Sequence, residues 1–327
     1  MANCADSSEI NPQHPKAKAI KSALEELLQH SVPGFVAAIH DQNGEWAYAG
    51  GLAKIENQSP MQLCHLQYLQ SIAKTYTAVL ILKLWETGQI DLEKPITDYL
   101  PENISAKIYN ASNVTVKMLL HHTSGITEYN YAPAYVTKLL QEPAHLFKPE
   151  EYFRYVVGKK QDFEPGSRYS YRNVNYLILA LIVENITGNH QKYMEETIFK
   201  PLELKNTYYR IEQGNTYDGR LVNSYWDRHS NAILENVSVL QNTNVASLIG
   251  DDGIITSPHK ALRFLKGLME GKLIAPQTLE KMKEWVLNRK GAPAYGLGLA
   301  ITKFGGHTAL GHSGGGLGAG CHLYYFP

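Results

Sequence analysis

The chain lacks an excess of charge, long apolar runs and paired cysteines, and each absence excludes a class of protein. Its 327 residues include 31 basic and 31 acidic side chains, a balance that argues against nucleic acid as a partner. No run of eighteen apolar residues occurs, so the sequence predicts no transmembrane span. The chain has an odd number of cysteines, Cys4, Cys64 and Cys321, and their spacing is not that of metal ligands, so no disulfide framework is implied. Cys64 and Cys321 are interpreted as small core residues.

Motifs for metals and nucleotides are missing as well. The sequence contains no H-E-x-x-H, no paired C-x-x-C, no P-loop and no G-x-G-x-x-G between a strand and a helix. His121-His122 is interpreted as a helix end before the turn at residues 123–125 and not as a metal site. We therefore expect neither a metal nor a cofactor.

Three short motifs in a fixed order carry the chemistry that is present: Ser71-Ile72-Ala73-Lys74, Tyr171-Arg172-Asn173 and His312-Ser313-Gly314. A serine hydroxyl is a weak nucleophile at neutral pH until a base takes its proton. A spacing of three on the amphipathic helix predicted there puts Ser71 and Lys74 on one face. Burial and the positive end of the helix would both lower the pKa of that lysine. The sequence thus predicts an activated serine at Ser71.

Two other serines compete for this role. Ser257 begins a second Ser-x-x-Lys, but no Tyr-x-Asn follows it, so it is interpreted as a turn before a helix. Ser313 lies in a G-x-S-x-G at residues 311–315, the pattern of a nucleophile elbow. Glycines follow it where the elbow needs a helix, and no acidic residue occurs later in the chain. Ser71 remains the predicted nucleophile.

The segments around the motifs also match a known family. The chain resembles the serine beta-lactamase-related hydrolases, in the branch of the class C beta-lactamases and DD-peptidases. The resemblance implies an α+β fold of the beta-lactamase/transpeptidase type. The similar stretches are spread over nearly the whole chain, at residues 32–34, 71–74, 88–92, 99–101, 114–125, 165–171, 253–257, 295–298 and 311–315.

The resemblance implies a role for each residue of the first two motifs. Ser71 would be acylated, Lys74 would exchange its proton, and Tyr171 would be a second general acid/base that serves the leaving group. Asn173 would hydrogen-bond the substrate amide, with a helix N-cap as the alternative. An unperturbed tyrosine has a pKa of about 10 and needs a nearby cation such as Lys74 to act as a base. Without one, Tyr171 would be a packing tyrosine.

The third motif would line the site on a strand at its edge. His312, Ser313 and Gly314 would bind the substrate, and the backbone N–H groups of Ser71 and Gly315 would form the oxyanion hole. Beta-lactamases of the family usually have lysine at the position of His312, whereas histidine gives only a conditional positive charge near neutral pH. Histidine in place of this lysine favours peptidase or esterase activity over that of a dedicated beta-lactamase. As an alternative, His312 only fills space beside the site.

The expected function is that of a serine hydrolase with an acyl-enzyme at Ser71. Its substrates would be D-amino-acid peptides, as for a DD-carboxypeptidase or D-aminopeptidase, or carboxylic esters and amides, and beta-lactams are candidate acylating ligands. The alternatives are a class C-like beta-lactamase and a penicillin-binding sensor or non-catalytic scaffold that does not turn over. No carboxylate stands out as a base for deacylation, so Tyr171 is the default candidate.

Terminal strands around a helical middle predict an α+β fold with one antiparallel sheet built from both ends of the chain and flanked by helices. A polar tail (1–12) precedes a single domain (13–327), with sheet regions at 13–70 and about 245–327 and a mainly helical subdomain at 71–244. A helix is predicted around residues 20–28, strands at 35–40 and 45–52 joined at Asn43-Gly44, and strands at 295–302, 307–312 and 321–326.

Two expectations concern the ends of the chain. Cys4 begins a polar segment like the start of a mature bacterial lipoprotein, which predicts a lipid anchor and a location in the bacterial cell envelope or periplasm. An incidental cysteine in a polar tail is the alternative. By comparison with the family, the chain is expected to be truncated after the strand at 321–326, which would leave a sheet edge unpaired.

Overall fold

The computed structural model describes residues 7–210 and 214–327, so Cys4 and its proposed lipid anchor lie outside the described residues. The helices are α1 (Ala17–Leu27), α2 (Ala73–Glu86), α3 (Glu102–Ser105), α4 (Val116–Leu120), α5 (Pro133–Gln141), α6 (Pro149–Phe153), α7 (Asn173–Thr187), α8 (His190–Met194), α9 (Ser238–Ser247), α10 (Pro258–Met269) and α11 (Pro276–Met282). The strands are β1 (Glu9–Ile10), β2 (Gly34–Asp41), β3 (Gly44–Lys54), β4 (Ser59–Pro60), β5 (Gln67–Tyr68), β6 (Tyr208–Tyr209), β7 (Tyr225–Trp226), β8 (Glu235–Asn236), β9 (Ile254–Thr256), β10 (Val286–Leu287), β11 (Pro293–Tyr295), β12 (Ala300–Phe304), β13 (His307–Gly316) and β14 (Ala319–Tyr325).

The strands from the two ends of the chain form two antiparallel sheets. In the N-terminal sheet, β3 lies between β1 and β2 and also pairs with β4, and the C-terminal sheet has the order β10-β11-β12-β13-β14. The α+β class is confirmed, but no strand pair joins these two sheets within residues 7–210 and 214–327, so the prediction of one continuous sheet is corrected. Both β2 and β14 pack against α10, so the contact between the sheets runs through a helix and not through a ladder of hydrogen bonds.

The N-terminal hairpin has the predicted form. Asp41 pairs with Gly44 at its closed end, and the Asp41 side chain accepts a hydrogen bond of 2.8 Å from the backbone N–H of Asn43. Gly44 has a φ of +98°, a conformation that glycine adopts without strain. The Asn-Gly signal therefore predicts this turn correctly from local geometry alone.

The strand predicted at 295–302 is interrupted in the structure. Gly298, between β11 and β12, has a φ of +87°, and a Cβ there would lie 2.2 Å from the Cβ of Ala78 in α2. The hydroxyl of Thr75 donates a hydrogen bond of 2.8 Å to the carbonyl oxygen of Gly298. The chain therefore bends at this glycine because it passes directly over α2, a tertiary contact that strand propensity does not encode.

Helices α2 and α7 form the centre of the core and pack against each other. Eleven of the fourteen residues of α2 are buried, so the helix is covered on almost every side. The interpretation of this helix as amphipathic is therefore wrong. A helix that is buried on almost every side is a core element, and it gives the site at its N-terminus a rigid base.

Two cysteines have different environments. Cys64 is disulfide-bonded, which corrects both its interpretation as a simple core residue and the expectation that no disulfide is implied. Cys321 is a free thiol whose Sγ lies 3.1 Å from the carbonyl oxygen of Leu69, and burial raises its pKa to about 12. Across the described ranges, no helix combines the length and the apolar character needed to cross a bilayer.

Candidate active site

Three distant segments meet at the N-terminal end of α2. Ser71 lies in a 3-10 turn, Gln70–Ile72, that leads into the helix, Tyr171 lies just ahead of α7, and His312 lies in β13. Together they border a cavity of about 330 Å³. The cavity is lined by Ser71, Tyr169, Tyr171, Ala294, Tyr295, Ala300, His312, Ser313 and Gly315.

Lys74 is fully buried, and its amino group meets the serine. Nζ lies 3.0 Å from Oγ of Ser71 and 2.9 Å from the backbone carbonyl oxygen of Asp251. Burial lowers the pKa of Lys74, because a charged ammonium loses its hydration there. A lysine that gives up its proton more easily is a suitable base for the Ser71 hydroxyl.

Tyr171 lies close to Ser71 and Lys74, and its phenolic oxygen is buried. Nζ of Lys74 lies 5.0 Å from the centre of the Tyr171 ring. Burial raises the pKa of Tyr171 well above its ordinary value, and the Ser71 hydroxyl opposes this shift. The phenolic oxygen has no hydrogen-bond partner within the described residues. Tyr171 is thus protonated at neutral pH, despite the neighbouring lysine.

Asn173 is the first residue of α7, and its backbone is held by Glu128. The Glu128 carboxylate accepts hydrogen bonds from the backbone N–H groups of Asn173 and, at 3.2 Å, Asn130. Arg172 is the N-cap residue of α7, and its own side chain makes no capping hydrogen bond. The alternative that Asn173 is a helix N-cap is therefore wrong.

His312 is buried in the cavity wall without a charge. Its Nε2 accepts a hydrogen bond of 2.9 Å from the Tyr295 hydroxyl, and its Nδ1 lies 2.5 Å from the carbonyl oxygen of Ser313, which places the proton on Nδ1. Burial lowers the pKa of His312 to about 3, and the charge of Lys74 adds to this effect. The expectation of a conditional positive charge near neutral pH is corrected, because His312 is an uncharged hydrogen-bonding group there.

Glycines let β13 pass close to the turn that holds Ser71. A Cβ at Gly314 would lie 2.6 Å from Cβ of Gln70, and one at Gly316 would lie 2.2 Å from the Gln70 side-chain oxygen. A Cβ at Gly315 would meet nothing within 4 Å, so this residue faces the opening. Gln70 itself has a φ of +49°, a strained conformation directly before the predicted nucleophile. The backbones of Ser71 and Gly315 thereby border the same cavity.

Neither of the two rejected serines has the surroundings of a nucleophile, although Ser313 lines the cavity. Ser257 is the N-cap residue of α10, as its interpretation as a turn before a helix requires. Ser313 is exposed inside β13 and pairs with His322 of β14, so no helix follows it. Neither serine has the buried lysine partner that Ser71 has.

Comparison with known proteins supports a single family. A family model described as Beta-lactamase matches residues 18–327, nearly the whole chain. The chain belongs to the Beta-lactamase family. Its members share the serine hydrolase fold of beta-lactamases and penicillin-binding proteins.

Solved structures and curated relatives are similar to this Beta-lactamase family member. The D-stereospecific amidohydrolase from Streptomyces sp. has a TM-score of 0.80 and 28% identity over 93% of this chain and 88% of that chain. The D-amino acid amidase from Ochrobactrum anthropi SV3, complexed with L-phenylalanine amide, shares the fold with a TM-score of 0.77 and 21% identity over 91% and 84%. The human mitochondrial serine beta-lactamase-like protein LACTB is 27% identical over 58% of this chain and 47% of that protein. The chain spans less than two thirds of the length of such curated relatives.

Three buried carboxyl groups act on Lys74 in this family member, and the sequence analysis missed them. Asp251, Asp252 and Glu128 all favour the charged form of the lysine. Burial raises their own pKa values, that of Asp251 to about 7 and that of Asp252 to about 6. The Tyr129 hydroxyl donates a hydrogen bond of 3.1 Å to Asp251. The available signal was two adjacent acidic residues inside the apolar stretch 248–255. Among the described residues no group of three His, Cys, Asp or Glu side chains could hold a metal.

We expect Asp251→Asn to change how stability depends on pH. The pKa of Asp251 is raised from 3.8 to about 7, so between these values the folded protein keeps a proton that the unfolded chain releases. The stability associated with this proton is present below about pH 4 and is lost as the pH rises to about 7. Asparagine cannot ionise, so the melting temperature of the variant relative to wild type should rise between about pH 4 and 7.

Thermal melts of both proteins across this range give the measurement. Asp98→Asn is a matched control, because it makes the same substitution at an exposed position. A flat difference for Asp251→Asn would contradict the role of burial at this carboxyl group.

His122, which the sequence pattern indicated only as a helix end, is a further buried residue of the site. Its ring centre lies 4.4 Å from that of Tyr171 and 4.6 Å from that of Tyr295. Its Nδ1 accepts hydrogen bonds of 3.2 Å from the backbone N–H of Arg172 and from the side chain of Asn175. Nε2 therefore carries the proton and has no partner in the part of the chain that is described. His122 holds the segment around Tyr171 in place.

Proposed function

We propose that this protein is a serine hydrolase that acts through an acyl-enzyme at Ser71. The observation that supports this most is the contact of 3.0 Å between Oγ of Ser71 and Nζ of Lys74, a fully buried lysine whose pKa is lowered. A serine beside a base that can be neutral is an activated nucleophile. The cavity above Ser71 gives a carbonyl substrate access to it.

Acylation follows from this arrangement. Oγ of Ser71 attacks the carbonyl carbon of the substrate while Nζ of Lys74 takes its proton. The oxygen that becomes negative is stabilised by the backbone N–H groups of Ser71 and Gly315. As the bond to the leaving group breaks, Tyr171 gives its proton to the leaving nitrogen or oxygen and receives the proton held by Lys74. The lysine is then neutral again.

Deacylation uses the same groups with water as the nucleophile. Water attacks the ester carbonyl and transfers a proton to Tyr171, which passes its own proton to the neutral Lys74. The ester bond breaks, Oγ of Ser71 takes the proton from Lys74, and the carboxylic acid leaves. The protonated state of Tyr171 at neutral pH fits this scheme, because the tyrosine only relays protons and is never required as a standing base.

The proposed substrates are derivatives of D-amino acids, including peptides and amides, or other carboxylic esters and amides. The similarity to the Streptomyces D-stereospecific amidohydrolase, at 28% identity over 93% of this chain, supports this choice. The uncharged His312 at the cavity wall speaks against a dedicated beta-lactamase, because it offers no cation to the carboxylate of a penicillin. Beta-lactams remain proposed acylating ligands.

Intact mass spectrometry over time after mixing tests this proposal. The protein is mixed in parallel with D-phenylalanine amide, a 4-nitrophenyl ester and benzylpenicillin, and the acylated peptide is located by digestion. Adduct on Ser71 that forms and decays with release of acid supports a hydrolase. A benzylpenicillin adduct that persists, with no turnover of the other two compounds, would identify a penicillin-binding sensor. The absence of any adduct and of any turnover would overturn the proposal.

A further inference from the structure

The cavity above Ser71 is polar but presents no charged side chain to a ligand. Its lining consists of tyrosines, alanines, a glycine, two serines and a histidine, and no Asp, Glu, Lys or Arg belongs to it within the described residues. Lys74, the cation that contacts Ser71, is fully buried. Its amino group already contacts Oγ of Ser71 and the carbonyl oxygen of Asp251. A ligand in this cavity therefore meets hydroxyl groups, aromatic faces and backbone N–H groups.

His312 is a polar residue of the cavity wall, and both of its ring nitrogens already have hydrogen-bond partners. Nε2 of His312 accepts the hydrogen bond of 2.9 Å from Tyr295, and Nδ1 faces the carbonyl oxygen of Ser313 at 2.5 Å. Protonation of His312 is opposed by its burial. A carboxylate beside this ring would lose its hydration and gain no cation in return, a combination that strongly disfavours binding.

Carboxyl groups buried behind the cavity disfavour the binding of a carboxylate further. Asp251, Asp252 and Glu128 lie close enough to Lys74 to influence its ionisation, and all three are buried. In a medium of low dielectric constant, ionised carboxyl groups repel an incoming anion at greater distance than they would in water. The single ammonium group of Lys74 faces three carboxyl groups, so it provides no excess of positive charge for a ligand.

We propose that Ser71 accepts acyl groups preferentially from donors without a negative charge, namely uncharged carboxylic esters and amides, and that the His312–Tyr295 pair sets this selectivity. The proposal rests on the proposed function of Ser71. A D-amino-acid derivative fits when its carboxyl group is blocked as an amide or ester, whereas a donor with a free carboxylate, such as a penicillin or a peptide with a free C-terminus, is discriminated against.

A matched pair of esters tests the selectivity during turnover. Mono-4-nitrophenyl adipate and its methyl ester have the same leaving group and differ only at the far end, where one has a carboxylate and the other an uncharged methyl ester. For the wild type at pH 7.5, we expect kcat/KM to be at least about tenfold higher for the methyl ester, equivalent to about 1.4 kcal/mol. Equal use of the two esters would overturn the proposal.

Substitution of His312 tests whether this residue causes the preference for the uncharged ester. His312→Lys supplies a cation and should reduce the preference for the uncharged ester by about tenfold or more, whereas the uncharged His312→Gln should retain it. The ratio of the two esters is the readout, so a general loss of rate does not affect it. Because His312 is buried, a melting curve accompanies each variant. Ser313→Lys, on the exposed rim, introduces the cation a second way if His312→Lys fails to fold.

A binding experiment separates this inference from the proposed function. Ser71→Ala is titrated with N-acetyl-D-phenylalanine amide and with the corresponding free acid, N-acetyl-D-phenylalanine. Tighter binding of the amide, by about tenfold or more, supports the inference even if no ester is turned over and the acyl-enzyme mechanism fails. Equal or tighter binding of the acid, or binding of neither compound, would overturn it.

Discussion

Ser71→Ala should abolish acyl-enzyme formation and lower kcat/KM for ester and amide substrates by about 10⁴-fold or more, because loss of a nucleophilic serine removes the covalent route entirely. The substitution removes one oxygen atom from a half-buried side chain in a turn, so the fold should remain intact. Intact mass after mixing with substrate, together with the steady-state rate, gives the measurement. A melting temperature close to that of wild type shows that the loss concerns chemistry and not folding.

Ser257→Ala is the matched control for this substitution. Ser257 begins the other Ser-x-x-Lys of the chain and is the N-cap residue of α10, with no hydrogen bond from its side chain to the helix. Its replacement should leave the rate and the adduct unchanged. If Ser71→Ala still formed the adduct, or if Ser257→Ala lost it, the assignment of the nucleophile would be wrong.

Replacement of Lys74 should lower the acylation rate by about 10²- to 10⁴-fold, the range expected for loss of a general base. Lys74→Met has nearly the same length but cannot take a proton. Lys74→Arg keeps the positive charge, yet a guanidinium remains protonated and cannot act as the base. The rate of the first turnover, measured by rapid mixing, should therefore fall in both variants. Substantial activity in Lys74→Arg would show that a neutral lysine is not required.

The two lysine variants should differ in stability. Lys74→Met leaves Asp251, Asp252 and Glu128 without their buried cation, and these groups are more fully ionised at high pH. We therefore expect this variant to lose more stability relative to wild type at pH 8 than at pH 5. Lys74→Arg keeps the charge and should show a smaller difference between the two pH values. Melting curves at both pH values test this.

Short local patterns predict part of this protein well. The Asn-Gly turn between β2 and β3, the helix α1 and the end of α4 near His121 depend on a few neighbouring residues, and the structure has them close to the predicted positions. Strands β13 and β14 are also present, with β13 longer than expected. The predictions that failed, one continuous sheet and an unbroken strand at 295–302, depend on contacts between distant segments. The bend at Gly298 exists because α2 lies beneath it.

The residues of the candidate site also fall into two groups, those that the sequence predicts and those that only the structure reveals. Motif order in the sequence identifies Ser71, Lys74, Tyr171 and His312, and the structure places three of them around one cavity with Lys74 beneath the serine. The missed residues, Asp251, Asp252, Glu128 and His122, belong to none of the three short motifs that contain Ser71, Tyr171 and His312. Only their burial beside the site, which results from the packing of separate segments, shows that they act on it.

The sequence by itself determined the pairing of Ser71 with Lys74, because residues three apart at the start of a helix lie on one face whatever surrounds them. It also determined which strand passes the site, since only a glycine-rich β13 can approach Gln70 so closely. The tertiary structure alone decided the charges: a neutral His312, a protonated Tyr171 and a lysine facing three buried carboxyl groups. The reason is that ionisation depends on burial and on neighbouring charges, and both are supplied by segments that are distant in the sequence.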